Sequence, residues 1–136
     1  MNDAERLERI EDAVLRLREA ASGNAVVVEG LRDRAALEEL GIGGEHIVVN
    51  QGVPLQEVVD RIAEQAASAG WGMVLLIMDW DRTGNSMEER LHRGLAGRVA
   101  VDVGFRARLR RLTHTSSLEE VPAEMASLRR RVGGRP

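Results

Sequence analysis

The chain contains no cysteine, which excludes disulfides, thiolate zinc sites and cysteine nucleophiles. It contains no tyrosine, which removes another nucleophile, and no lysine: all 19 basic residues are arginine. Any mechanism that needs a lysine is excluded with it. No apolar run approaches the roughly 20 residues that a membrane-spanning helix requires. The N-terminal stretch MNDAERLERIEDAV is charged throughout and lacks the apolar core of a signal peptide. A cytoplasmic protein with no membrane association is therefore expected. There is no internal repeat, low-complexity tract or linker, and 136 residues is the length of one ordinary domain.

What is present is a globular composition, 43% hydrophobic and 30% charged. The net charge of −3 is unevenly spread. From residue 104 onward there are eight arginines against three glutamates, while the rest of the chain carries eleven arginines against nineteen acids. A basic C-terminal third on an acidic body points to a polyanionic partner, and a solvated arginine surface gives the same pattern.

Apolar periodicity predicts alternating helices and strands. Leu7, Ile10, Val14, Leu17 and Ala21 recur at helical steps over residues 3–21, and Ser22, Gly23 and Asn24 stop that helix. The β-branched run AVVVE predicts a buried strand at 25–29, closed by Gly30. Helices are predicted at 32–40, with Ala35, Ala36, Leu37 and Leu40 inward, and at 55–69 behind Pro54. Strands are predicted at 46–50, 73–79 and 98–103, and further helices at 85–96, 105–112 and 118–132. Ser117 and Glu120 have the spacing of a capping box. Strands that are apolar on both sides and alternate with helices predict an α/β, three-layer α/β/α fold around a four-stranded parallel sheet. In such folds functional residues gather where strand C-termini give way to loops.

Two strands end in acids: the first in Glu29-Gly30, the third in Asp79-Trp80-Asp81. In an extended chain Asp79 and Asp81 point to the same side. Glu29 reaches them if the first and third strands are neighbours, which predicts the order 2-1-3-4. Three converging carboxylates repel when ionised, and a hard divalent cation such as Mg²⁺ resolves the repulsion. The plainer alternative is that Asp79 and Asp81 are caps or turn residues before the next helix.

The pairing VVVEGLRD…LLIMDWDRTG resembles the Toprim domain, shared by topoisomerases, bacterial primases, overcoming-lysogenization-type nucleases and the ribonuclease that matures 5S ribosomal RNA. The family pattern is an apolar strand ending in Glu-Gly and, about 50 residues later, an apolar strand ending in Asp-x-Asp. Here Glu29 and Asp79 are 50 residues apart. EGLRDRAALEELGI also looks like the corresponding segment of small stand-alone archaeal Toprim proteins and of the 5S maturase. The resemblance covers roughly residues 24–103, leaving an N-terminal helix at 1–23 and a basic helical tail at 104–136 of a single domain.

The resemblance implies roles residue by residue. Glu29 matches the general acid/base and shares with Asp79 and Asp81 the holding of Mg²⁺, with Mn²⁺ as an alternative. Asp33 matches a frequent extra acid, or is a first-turn acid of its helix. Arg82 would hold a phosphate, or pair with Asp33 or Asp81. Arg32, Arg106, Arg108, Arg110 and Arg111 are the candidate nucleic-acid contacts. Thr83, Gly84 and Asn85 are expected to cap the next helix, and Trp80 to enter the core.

Asp79-x-Asp81-x-Thr83 also resembles the first motif of haloacid-dehalogenase-type phosphatases. That family needs a lysine and a later acidic pair, and here Asp102 stands alone. A receiver-like phosphoacceptor lacks its lysine too. Among Toprim subtypes, a topoisomerase needs the missing tyrosine, a primase needs further domains, and an ATPase-linked nuclease needs an absent P-loop. A stand-alone Mg²⁺-dependent nuclease is what remains, with RNA ahead of DNA as substrate. The alternative is a module that binds Mg²⁺ and nucleic acid, or a protein partner, without cleavage. His46, His92 and His114 are too scattered to form a site. The apolar stripe of the first helix suits packing on the sheet or pairing with a second copy as a homodimer.

Overall fold

The structure is a computed structural model that describes residues 1–133, so Arg135 of the basic tail lies outside the described residues. Its elements follow the chain as α1 (Asp3–Ala21), β1 (Ala25–Val28), α2 (Leu31–Glu39), β2 (Glu45–Val48), α3 (Leu55–Ala69), β3 (Met73–Ile77), α4 (Arg82–Leu95), β4 (Ala100–Asp102), α5 (Gly104–Leu112), a 3-10 turn at Leu118–Glu120 and α6 (Val121–Gly133). The four strands form one sheet in the order β2-β1-β3-β4, with every pairing parallel. That is the order the shared acid site required.

Strand alternation divides the core into two layers. Val26, Val28, Leu75 and Ile77 face α1, α2, α5 and α6, where Ile10, Leu17, Leu37, Leu109 and Leu128 complete the packing. Ala25, Val27, Val74, Leu76 and Met78 face the opposite side, against Val59 and Ile62 of α3 and Leu91 and Leu95 of α4. β1 and most of β3 are thus covered on both faces, which is why their sequences read as unbroken apolar runs.

Several boundaries differ from the sequence expectation. α4 begins at Arg82, so Thr83, Gly84 and Asn85 lie inside the helix and Asp81 is the residue that caps it. Ala35 is exposed rather than inward. The Ser117/Glu120 box does not form: Glu120 accepts from the Ser116 backbone N–H at 3.1 Å and the Ser116 hydroxyl at 2.5 Å, one residue earlier. The stripe of α1 (Leu7, Ile10, Ala13, Val14, Leu17 and Ala21) is buried within the chain. Arg6, also buried, ties the same helix to the Leu112 carbonyl at 3.1 Å and to Glu124 at 3.0 Å. The ground for a homodimer through α1 is therefore gone, because the surface it would use is spent on α5 and α6. Among the described residues no helix is long and apolar enough to cross a membrane.

α3 and α4 cross at Gly94, where an added Cβ would sit 2.9 Å and 3.1 Å from the two γ-methyls of Val59. Gly94→Ala gains about 1 kcal/mol of helix propensity but overpacks a stiff β-branched neighbour, which costs about 1–3 kcal/mol. Gly94→Ala should lower the melting temperature in the wild-type background and raise it in a Val59→Ala background. Thermal denaturation of the four proteins checks the reversal, and the same sign in both backgrounds would show that Val59 does not set the contact.

Candidate active site: a carboxylate pair at the sheet edge

β1 and β3 run side by side in register, with Val28 opposite Ile77, so the residues that follow both strands emerge at one edge. Glu29 leaves β1 there, 8% exposed. Its backbone stays tied to the sheet, because the Asn50 N–H donates to the Glu29 carbonyl at 2.9 Å. Asp79 leaves β3 two residues past Ile77. Oε1 of Glu29 and Oδ1 of Asp79 are both buried, and no donor group among the described residues reaches either. Buried carboxylate oxygens normally accept from a donor group, so two neighbouring acids that have only a proton to share mark an unusual place.

The electrostatics agree. Burial, then a shared hydrogen bond with Asp79, then the negative charges of Asp79, Asp81 and Asp33 push the Glu29 carboxyl up to about 8. Burial also raises Asp33, against the opposing pull of backbone N–H donors from Gly30 and Glu119. Among the described residues, the charged groups that act on Glu29 are all acids.

The remaining candidates divide between the site and its supports. Asp81 is exposed, and its Oδ1 accepts from the Gly84 N–H at 2.7 Å, the helix-cap role. Asp33 is not an open acid. Its Oδ2 accepts from the Gly30 N–H at 3.0 Å and its Oδ1 from the Glu119 N–H at 3.1 Å, so it caps α2 and tethers the 3-10 turn. The catalytic role expected of Asp33 gives way to this structural one. Among the described residues no group of three or more His, Cys, Asp or Glu is arranged to hold a metal ion. The three-ligand set Glu29, Asp79 and Asp81 is therefore not assembled, and the pair Glu29 and Asp79 is its remainder.

Arg82 is exposed in the first turn of α4 and forms no ion pair among the described residues, so neither Asp33 nor Asp81 holds it. Arg32 is exposed and pairs with Glu119 at 3.4 Å. Arg110 and Arg111 are exposed on α5, and Arg108 lies 5.9 Å over the Phe105 ring. Arg106 departs from the expected phosphate contact: it is 5% exposed and turned inward, onto the turn that carries Asp79. Trp80 is in the core, its ring N–H donating to the Thr115 carbonyl at 2.6 Å. Gly84 has no room for a side chain, since an added Cβ would fall 1.7 Å from the Asp79 carbonyl oxygen.

No family model matches the chain. A UPF0292 protein of Thermoplasma volcanium is 31% identical over 110 residues, covering 80% of this chain and 88% of the relative. The chain belongs to the UPF0292 family. A UPF0292 protein of Thermococcus onnurineus is 34% identical over 110 residues, with 80% and 76% covered. One from Methanosarcina acetivorans is 30% identical over 133 residues, with 94% and 88% covered. Among solved structures, a putative protein from Aquifex aeolicus matches with a TM-score of 0.66 and 24% identity, covering 80% of this chain and 94% of that one. At that identity the likeness shows a common fold.

One residue of this UPF0292 site was misread from sequence. Arg106 shares the apolar stripe of α5 with Leu109 and Leu112, and that spacing marks it as inward-facing.

Glu29 generates a pH prediction. The folded protein keeps a proton on Glu29 up to about 8, whereas the carboxyl of the unfolded chain loses it near 4.5. Stability contributed by that proton is complete below the lower value and is lost as pH rises through the window. The slope is at most about 1.4 kcal/mol per pH unit. Glu29→Gln, a neutral stand-in for the protonated acid, should gain stability over wild type steadily from pH 5 to pH 8 in chelator. Denaturant titrations at several pH values check this, and parallel curves would contradict it.

Proposed function

We propose that this UPF0292 chain is a Toprim-type, Mg²⁺-dependent protein that processes phosphodiesters in nucleic acid, RNA ahead of DNA, in the cytoplasm. The observation that carries this reading is the pair of buried oxygens that no donor group among the described residues reaches, Glu29 Oε1 and Asp79 Oδ1, at the mouths of two adjacent parallel strands. Their chemistry fits the cation. Mg²⁺ is commonly bound through one or two carboxylates, with waters and substrate phosphate oxygens completing its shell. Two hard oxygen donors whose competitor is a shared, displaceable proton meet that need, and Mn²⁺ accepts the same donors.

Glu29 and Asp79 would be the metal ligands, with Asp81 one turn outside them as a cap. When bound, the metal would neutralise charge that builds on a non-bridging phosphate oxygen. The protein's own part is to orient and to move a proton. The resemblance gives Glu29 the general acid/base role; its surroundings favour a proton in the metal-free chain, and with a cation in the proton's place Glu29 would be a carboxylate suited to take a proton and then return it. Arg82, exposed beside Asp81 at the start of α4, is free to hold a substrate phosphate. Arg32, Arg108, Arg110 and Arg111 supply further positive charge for a polyanion. The alternative, a module that binds Mg²⁺ and nucleic acid without cutting, draws on the engagement of Asp33 and Asp81 in backbone caps, which leaves few acids for chemistry.

The chemical test is the double variant Asp79→Asn with Asp81→Asn. Wild type should gain thermal stability in millimolar Mg²⁺ or Mn²⁺, about 2.7 kcal/mol when the metal stands at a hundred times its dissociation constant. The double variant should gain none, although without metal it should be at least as stable, because the substitution relieves repulsion and asparagine still caps. Equal shifts in both proteins would sink the site. Incubation with structured RNA and with single- and double-stranded DNA, in Mg²⁺, Mn²⁺ and chelator, should show metal-dependent cleavage by wild type alone. A metal-induced shift without cleavage would select the binding-only alternative.

The arginines give a separate test. If Arg110 and Arg111 contact phosphates, replacing each by Gln should make the plot of log affinity against log salt shallower by about 0.7 for single-stranded RNA. An unchanged slope would return them to the solvated surface.

A further inference from the structure

We propose that Arg106 is a positioning residue for the carboxylate pair: its guanidinium locks the turn between β3 and α4, and so aims Asp79 at Glu29. The proposal rests on the reading of Glu29 and Asp79 as a divalent-cation site and adds what holds that site in shape.

The need follows from where β3 stops. Its ladder ends at Ile77, and the next two peptide carbonyls, Met78 and Asp79, would otherwise leave the sheet without partners. Arg106 takes both. Its Nε donates to the Met78 carbonyl at 2.8 Å and its Nη2 to the Asp79 carbonyl at 2.6 Å. One rigid plane thereby fixes two successive peptide units, and with them the direction in which the Asp79 side chain leaves the backbone. The plane itself is fixed from α4: Nη2 also donates to Asn85 Oδ1 at 2.7 Å, and Nη1 reaches Glu88 Oε2 at 3.3 Å. The far side of the turn is held by the Trp80 N–H, which donates to the Ser116 carbonyl at 3.0 Å. Gly84 presses on the same Asp79 carbonyl from the first turn of α4, so the peptide has no slack in that direction.

The charge of Arg106 is spent elsewhere. Its ion-pair partner is Glu88, and its other donors go to carbonyls and an amide. It acts on the site through the backbone, and the acid pair keeps its need for a cation. Lysine would not replace it, because a point donor cannot hold two carbonyls and an amide in one plane.

The test is Mn²⁺ affinity, measured by calorimetry on wild type, Arg106→Met, Arg106→Lys and the surface control Arg129→Met, each well below its own melting temperature so that only folded protein is titrated. Arg106→Met should weaken Mn²⁺ binding about tenfold or more, the scale of losing a group that orients a ligand. Arg106→Lys should restore little of it, and Arg129→Met should match wild type. If Arg106→Met does not fold, Asn85→Ala with Glu88→Gln frees the guanidinium plane while leaving Arg106 in place, and a severalfold loss is expected there. Variants that melt lower yet bind Mn²⁺ as wild type does would overturn the positioning role and leave the site standing. Wild type that binds no Mn²⁺ would overturn both.

Discussion

Glu29 and Asp79 are pressed together because β1 and β3 are parallel neighbours in register. Parallel pairing sends the ends of both strands out at one edge, and the apolar runs behind them are buried on both faces, so the backbone of neither acid can move off that edge without unpicking the sheet. Repulsion between the two carboxylates is therefore built into the fold. It is tolerated in the metal-free chain by a proton on Glu29, whose carboxyl is held near 8. That proton is shared with Asp79, and no donor group among the described residues reaches the two inner oxygens.

Much of the rest of the molecule holds that edge still. Asp33 closes the turn after β1 by capping α2, and the same carboxylate reaches across to the 3-10 turn at Leu118–Glu120. Arg106 closes the turn after β3, and the loop after α5 takes both N–H groups of Trp80. The C-terminal third is thus a brace before it is a surface. The arginine that does most for the turn is the one that no polyanion can reach, while Arg110 and Arg111, one turn further along α5, remain outside.

UPF0292 relatives at about a third identity align over 80% to 94% of the chain. The fold shared with the Aquifex aeolicus protein extends over 80% of the chain. The residues with the strictest physical demands sit at the sheet edge: a glycine with no space for a methyl group, a buried guanidinium, a buried Glu29 and a half-buried Asp79.

By itself the sequence determined the strands and helices, their parallel order and the two acidic strand ends. Apolar runs, their periods and the strand-end acids are local properties that survive in any context. Tertiary structure decided the fate of each polar side chain, because that depends on which distant backbone groups lie within reach. Asp33 reads as a catalytic acid until the Glu119 N–H, 86 residues away, takes its second oxygen. Arg106 reads as a phosphate ligand until α5 packs its apolar stripe onto the sheet and carries the guanidinium to the Met78 and Asp79 carbonyls. Asp81 reads as a ligand until α4 starts three residues earlier than its periodicity suggests and claims it as a cap. Glu29 and Asp79 meet at the sheet edge, where the backbone groups around them are paired within the sheet or with Arg106 and no donor group among the described residues reaches their inner oxygens.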